Sequence, residues 1–166
     1  FSDGVVSPVF WFALLGLPGL LAYKAVNTAD SMIGHKNETY QDFGWASARF
    51  DDLINLPASR LSGLFIALSA PLAHGSPRKS LACVFKDAGK HRSPTAGWPE
   101  AAMAGALDIA LAGPRAYPGY TVDDPYMNRD GRKQVTATDI DRAVVVMIGA
   151  SGVQALLVLL IAVLVR

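Results

Sequence analysis

Charge is scarce in this chain. Only 17% of its 166 residues are Asp, Glu, Lys or Arg, against roughly 25% in ordinary soluble domains, and the deficit points to lipid. The net charge of +1 and three scattered histidines leave no basic stripe able to neutralise a phosphate backbone, which excludes nucleic-acid binding as a primary role. The single cysteine, Cys83, has no partner for an intrachain disulfide and no cysteine or histidine at zinc-finger spacing. Also absent are the Walker pattern GxxxxGK[ST], HExxH, the GxSxG elbow and a GxGxxG after a strand, so neither a P-loop nor a standard hydrolase or dinucleotide site is present. Residue 1 is Phe rather than Met, and no cationic n-region or cleavage site precedes the first apolar stretch. The chain therefore reads as a fragment and its start as no signal peptide.

What is present is apolar length. Residues 143–165, AVVVMIGASGVQALLVLLIAVLV, carry no charge, and Ser151 and Gln154 are the notable polar side chains. At 1.5 Å per residue such a run extends roughly 34 Å, enough for a hydrocarbon core of about 30 Å. Arg142 and Arg166 bracket it, so the positive-inside rule leaves its orientation open. Residues 5–23 are also uncharged, but Pro8 and the GLPG around Pro18 predict a kinked helix or two half-helices with protein neighbours. Residues 53–73 form a third apolar segment, interrupted by Pro57 and Arg60, which reads as a membrane helix starting at the interface. Two polar stretches, 24–52 and 74–141, separate these segments. Within the second, AAMAGALDIALA (101–112) has helical character with Gly113 and Pro114 as its stop, and 114–133 reads as loop. The predicted fold class is all-α: a polytopic membrane helical protein with kinked or broken helices and two long polar loops, forming one domain over 1–166.

Three constellations could carry chemistry. Helical continuation beyond residue 23 places Lys24, Asn27, Ser31 and Gly34 on one face with Asp30 beside it; this set suits an anion or a magnesium-bound phosphate, or is a polar helix end meeting headgroup water. In YQDFGWASARFDDL, Asp42, Trp45, Arg49 and Asp52 share a face, with Asp51 adjacent. Paired carboxylates with an arginine coordinate magnesium and clamp phosphate, although a solvated face with weak ion pairs is the more common use of such a pattern. The most distinctive set is DAGKHRSPTAGWPEAAMAGAL (87–107). Here three adjacent cationic or protonatable residues, Lys90, His91 and Arg92, precede a turn and a helix opened by Glu100, whose amino-terminal N–H groups favour phosphate. His74, in APLAHGSPRKS, ends an apolar helix rather than binding metal. Spacing alone leaves enzyme, transporter and binding subunit open.

KAVNTADSMIGHKNETYQDFGWASARFDDLINLPASRL followed by KHRSPTAGWPEAAMAGAL, with YMNRDGR before the last helix, resembles the CobD/CbiB (adenosylcobinamide-phosphate synthase) family, over the second half of its members. The resemblance implies a multi-pass enzyme of the bacterial inner membrane, in contact with lipid, that joins an aminopropanol or its O-phosphate to adenosylcobyric acid with ATP and Mg2+, the corrinoid being substrate. It further implies that this chain is the carboxyl-terminal portion, to be completed by an amino-terminal half, and is compatible with a homo-oligomer. A non-catalytic corrinoid-binding or scaffold subunit is the alternative. By the same resemblance, Asp30, Glu100 and His91 are catalytic, either of the last two taking the amine proton. Lys24, Asn27, Arg49, Lys90, Arg92 and Trp98 hold phosphate, carboxylate or substrate, Gly97 shapes the pocket, and Glu38, Asp42, Asp51 and Asp52 hold magnesium. The family's SPNAGWPE reads SPTAGWPE here. Thr95 lacks the amide's paired donor and acceptor, so it is not assigned to substrate.

Overall fold

The computed structural model describes residues 1–33, 41–117 and 119–164. Five α-helices and one hairpin follow in order: α1 Ser7–Ile33, α2 Gln41–Ser69, α3 Pro77–Asp87, α4 Gly97–Leu107, β1 Leu111–Tyr117, β2 Tyr120–Met127 and α5 Ala137–Leu164. Three helical stretches among the described residues are long and apolar enough to cross a membrane: Ser2–Ile33, Gly44–Ala73 and Ala137–Leu164. The chain is a helical membrane protein, as its composition predicts. It divides inside α2 into two compact units, Phe1–Ser59 and Arg60–Arg166.

In the first unit, α1 follows a single π-turn, Ser2–Val6. Pro8 sits in the first turn of α1, where its missing N–H is no loss, so the break falls elsewhere. Gly16 adopts φ 65°, ψ −154°, open to glycine but costly for a residue with a Cβ. Pro18 then lies in the first turn of the following half-helix. GLPG is therefore a stop and a restart, the broken helix expected from the sequence. A Cβ on Gly19 would lie 2.6 Å from the Trp11 carbonyl, so a bare backbone is needed where the two halves meet.

The second unit begins in the continuation of α2. The expected interruption at Pro57 and Arg60 does not occur; α2 runs unbroken to Ser69 and closes in a 3-10 turn, Ala70–Ala73. Arg60 is accommodated because its guanidinium stacks on Trp98, 4.8 Å from the ring centroid, and donates to the Pro94 carbonyl at 3.3 Å. His74 ends the turn in the left-handed region. The Arg142 guanidinium of α5 donates to the Ala73 carbonyl through Nε and Nη2, at 3.2 and 2.9 Å, capping the end of the α2 segment with a cation. At the start of α5 the Asp139 carboxylate accepts from the Thr136 amide at 2.8 Å, one half of a capping box, and pairs with Arg132 and Arg142. Beyond this polar collar α5 is apolar, with 17% of its most apolar window buried; such breadth of exposed aliphatic surface suits lipid.

α3 packs on α4 through Ser80, whose hydroxyl donates to the Ala102 carbonyl at 2.7 Å, opposite Gly105. α4 is shorter than the run 101–112, ending at Leu107 because Asp108 turns left-handed, φ 56°. Much of 114–133, which reads as loop, is instead paired: β1 and β2 form an antiparallel hairpin, with Arg115 opposite Val122 and Ala112 opposite Tyr126. Pro114 and Pro125 survive because both strands of a two-stranded ribbon are edges, so a missing N–H can face outward. Gly113, φ 82°, forms the bulge between Ala112 and Pro114 beneath the Tyr126 ring.

Candidate functional site

The first unit holds a chain of polar side chains between α1 and the start of α2. Helical continuation places Lys24 Nζ 3.4 Å from Asn27 Oδ1, and Asn27 Nδ2 donates to Asp51 Oδ1 at 3.2 Å. The other carboxylate oxygen of Asp51 accepts from Asn55 Nδ2 at 2.9 Å. Asn55 Oδ1 in turn accepts from the Ser7 hydroxyl at 2.5 Å and lies 3.2 Å from the Tyr23 hydroxyl. Tyr23 has one proton to give, and its shorter contact is the Asp3 carbonyl at 2.7 Å. Lys24, Asn27 and Asp51 are thus brought together, while Ser31 bonds back to the Asn27 carbonyl. Ser7, Tyr23 and Asn55 complete the set without having been singled out in the sequence. Asn55 is fully buried, and in a membrane segment each of these groups needs a partner.

The remaining candidates of this unit are more peripheral. Arg49 is exposed and lies 5.9 Å from the Trp45 ring centroid. Asp30 and Asp52 are half-buried. Gly34 and Glu38 lie outside the described residues, as does the side chain of Asp42. No group of three metal-binding side chains forms among the described residues. Magnesium needs fewer ligands, since it typically takes one or two protein carboxylates and fills its other positions with water and substrate phosphate; in donor type the Asp51 carboxylate meets that requirement. The amide donors on both Asp51 oxygens leave each a further lone pair.

In the second unit, the turn between α3 and α4 sorts its three adjacent cationic or protonatable residues onto three different carboxylates. Lys90 Nζ lies 2.5 Å from Asp87 Oδ1, His91 Nε2 3.4 Å from Glu100 Oε2, and Arg92 Nη2 3.4 Å from Asp124 Oδ2. Asp124 also takes Arg115 at 2.6 Å. Asp87 is buried, and accepts from the Asn128 amide at 2.8 Å as well as facing the Cys83 thiol at 3.6 Å. Burial alone would raise the Asp87 pKa; the hydrogen bond from Lys90, that from the Asn128 amide and the Lys90 charge outweigh it and hold the carboxyl below its usual range. Burial and the adjacent Asp87 push the Cys83 thiol up to about 11, which makes it a packed residue rather than a nucleophile.

The start of α4 is less open to anions than its position suggests. The Ser93 hydroxyl accepts from the Thr95 and Ala96 amides, both at 3.3 Å, and Thr95 is itself buried with its hydroxyl 2.9 Å from that of Ser93. Gly97 is buried, and a Cβ there would meet the Ala88 carbonyl and lie 2.7 Å from the His91 Cβ, so glycine lets the turn close. Trp98 lies beneath Arg60. Sequence reasoning missed Arg60, Asp87 and Asn128. For Asn128 the available signal was the NRDG turn after a strand: Asn128 is left-handed, φ 55°, and its side-chain amide donates to the Ala104 and Ile109 carbonyls at 3.3 and 3.2 Å.

A sequence model described as CobD/Cbib protein matches residues 1–147. The chain belongs to the CobD/CbiB family. It is 58% identical over 164 residues to the cobalamin biosynthesis protein CobD of a Sinorhizobium species, covering 98% of this chain and 51% of that protein. It is 62% identical over 148 residues to the CobD of Sinorhizobium fredii, covering 88% and 45%, and 55% identical to that of Brucella suis over 87% and 45%. The chain thus spans about half the length of the curated CobD relatives it matches. No solved structure matches. Both the polar chain of the first unit and the Lys90–Glu100 turn lie inside the stretch matched to CobD/CbiB.

Proposed function

We propose that this chain is part of a bacterial inner-membrane ligase that joins an aminopropanol or its O-phosphate to adenosylcobyric acid with consumption of ATP. The observation that carries the reading is the family match, extending over nearly the whole chain to relatives named for cobalamin biosynthesis. The turn from Lys90 to Glu100 supports it, since it presents two fixed cations and a histidine–carboxylate pair on half-buried to exposed side chains.

A carboxylate at neutral pH is a poor acyl donor, so amide formation requires its activation, here as an acyl phosphate, before a free amine attacks. In this reading Lys90 and Arg92 attract phosphate and carboxylate charge, Trp98 with Arg60 provides a flat cationic face for substrate, and Lys24 with Asn27 holds an anionic group at the end of α1. Asp51 and Asp52 supply carboxylate ligands to magnesium, with Asp30, Glu38 and Asp42 as the neighbouring acids. Bound magnesium would neutralise phosphate charge.

The test is direct. Full-length protein in detergent, given adenosylcobyric acid, aminopropanol phosphate, ATP and Mg2+, should form the amide with stoichiometric ATP cleavage. Corrinoid binding with neither product nor ATP cleavage would establish a carrier instead. Asp30→Asn, Asp42→Asn, Asp51→Asn and Asp52→Asn test the acidic set; unchanged turnover and magnesium dependence in all four would return these residues to a structural role.

A further inference from the structure

His91 and Glu100 are presented alike, their side chains 27% and 28% exposed, and either is a chemically reasonable acceptor for the amine proton. The hydrogen-bond geometry distinguishes them. The Ser93 amide donates to His91 Nδ1 at 2.9 Å. Nδ1 also lies 3.2 Å from the Ser93 carbonyl, but a proton on Nδ1 would be set against the amide hydrogen, whose position the backbone fixes. The neutral ring therefore keeps its lone pair on Nδ1, occupied by Ser93, and its proton on Nε2, the nitrogen 3.4 Å from Glu100 Oε2. In this arrangement His91 has no free lone pair. Glu100 does, because its carboxylate faces a ring N–H while Lys90 and Arg92 are drawn to Asp87 and Asp124.

We infer that Glu100 is the catalytic proton acceptor of the amide-forming step and that His91 is a positioning residue holding its carboxylate; the inference rests on the ligase reading above. The ammonium group of the aminopropanol first loses one proton to solvent. As the free amine attacks the acyl carbon and the C–N bond forms, Glu100 takes a second proton from nitrogen. The C–O bond to phosphate then breaks with its electron pair on oxygen, and Glu100 returns that proton to the departing phosphate. Protons and charge balance with one proton released, and the acyl phosphate comes from the ATP of the proposed reaction.

The experiment uses the full-length protein in detergent with adenosylcobyric acid, ATP and Mg2+. It compares amide formation from aminopropanol phosphate with hydroxamate formation from hydroxylamine, which captures acyl phosphates without needing a base. Glu100→Gln should lower amide turnover by about 100-fold or more while hydroxamate forms within a few-fold of wild type. Glu100→Asp, which keeps a carboxylate, should fall between the two. His91→Gln should keep at least a tenth of amide turnover, because glutamine offers an N–H to Glu100 and a carbonyl to Ser93. Three results overturn the assignment: amide turnover in Glu100→Gln close to wild type, a loss in His91→Gln as deep as in Glu100→Gln, or loss of hydroxamate together with amide in Glu100→Gln. Absence of both amide and hydroxamate from the wild-type protein rejects the ligase reading itself, a separate outcome.

Discussion

Removing the Asp87 carboxylate should loosen the end of β2 and the Lys90 turn together. The residue is 2% exposed and is approached by the Lys90 ammonium at 2.5 Å and the Asn128 amide at 2.8 Å. Lys90 is 45% exposed, so solvent screens that pair and it contributes at most about 1 kcal/mol. The Asn128 amide matters more, since a hydrogen bond to a charged acceptor contributes about 1.5–3 kcal/mol, and an orphaned buried donor costs a similar amount. At 1.4 kcal/mol per factor of ten, Asp87→Ala should speed exchange of the Asn128 amide by about 10- to 100-fold. Asp87→Asn, which keeps an acceptor but loses the charge, should give roughly the lower figure. Hydrogen exchange with mass spectrometry on the peptide spanning residues 124–131 reads this directly. Because the folded carboxyl titrates below its unfolded value of about 4, the wild-type contribution is complete above that pH and is lost as pH falls through the lowered folded value. Unchanged exchange in Asp87→Ala at neutral pH would refute the reasoning.

Cys83, with its thiol pushed up to about 11, should react with iodoacetamide at pH 8 about 100-fold or more slowly than an ordinary thiol of pKa about 8.5; labelling as fast as free cysteine would contradict this. Asn55→Leu removes the acceptor of the interhelical bond from Ser7 and the donor to Asp51 within α2. At roughly 0.6–1.7 kcal/mol for each interhelical hydrogen bond in a membrane, it should lower the unfolding midpoint in an SDS titration, and an unmoved midpoint would count against the network. A Cβ at Gly105 would lie 2.7 Å from the Ser80 Cα and 2.8 Å from the Lys79 carbonyl. Gly105→Ala should therefore destabilise by about 1–3 kcal/mol. Gly152→Ala, with nothing within 4 Å, should be neutral or stabilising by up to about 1 kcal/mol; equal effects of the two on thermal unfolding would show that α3 and α4 are not in close contact.

Features encoded in a short stretch were legible, and features that need two distant stretches were not. The terminal helix and the break at GLPG follow from local length and local backbone chemistry, and both are found, with Gly16 rather than Pro8 as the hinge. The hairpin was hidden because proline, glycine and aspartate read as loop unless one knows that both strands are edges. Pro57 and Arg60 looked like interruptions because Trp98, which covers Arg60, lies 38 residues on. The same limitation governs the candidate site. Spacing assembled Lys24 with Asn27 and Lys90 with His91 and Arg92, but it could not supply Asp51 for the first pair or the three separate carboxylates for the second set. A run of three cationic or protonatable residues suggests one anion held by all of them. The folded turn instead gives each residue its own acid, on α3, α4 and β2, and so sets the middle residue and its carboxylate apart from the two fixed charges. In the proposed reaction that separation leaves the His91–Glu100 pair to move a proton while the two fixed charges attract phosphate.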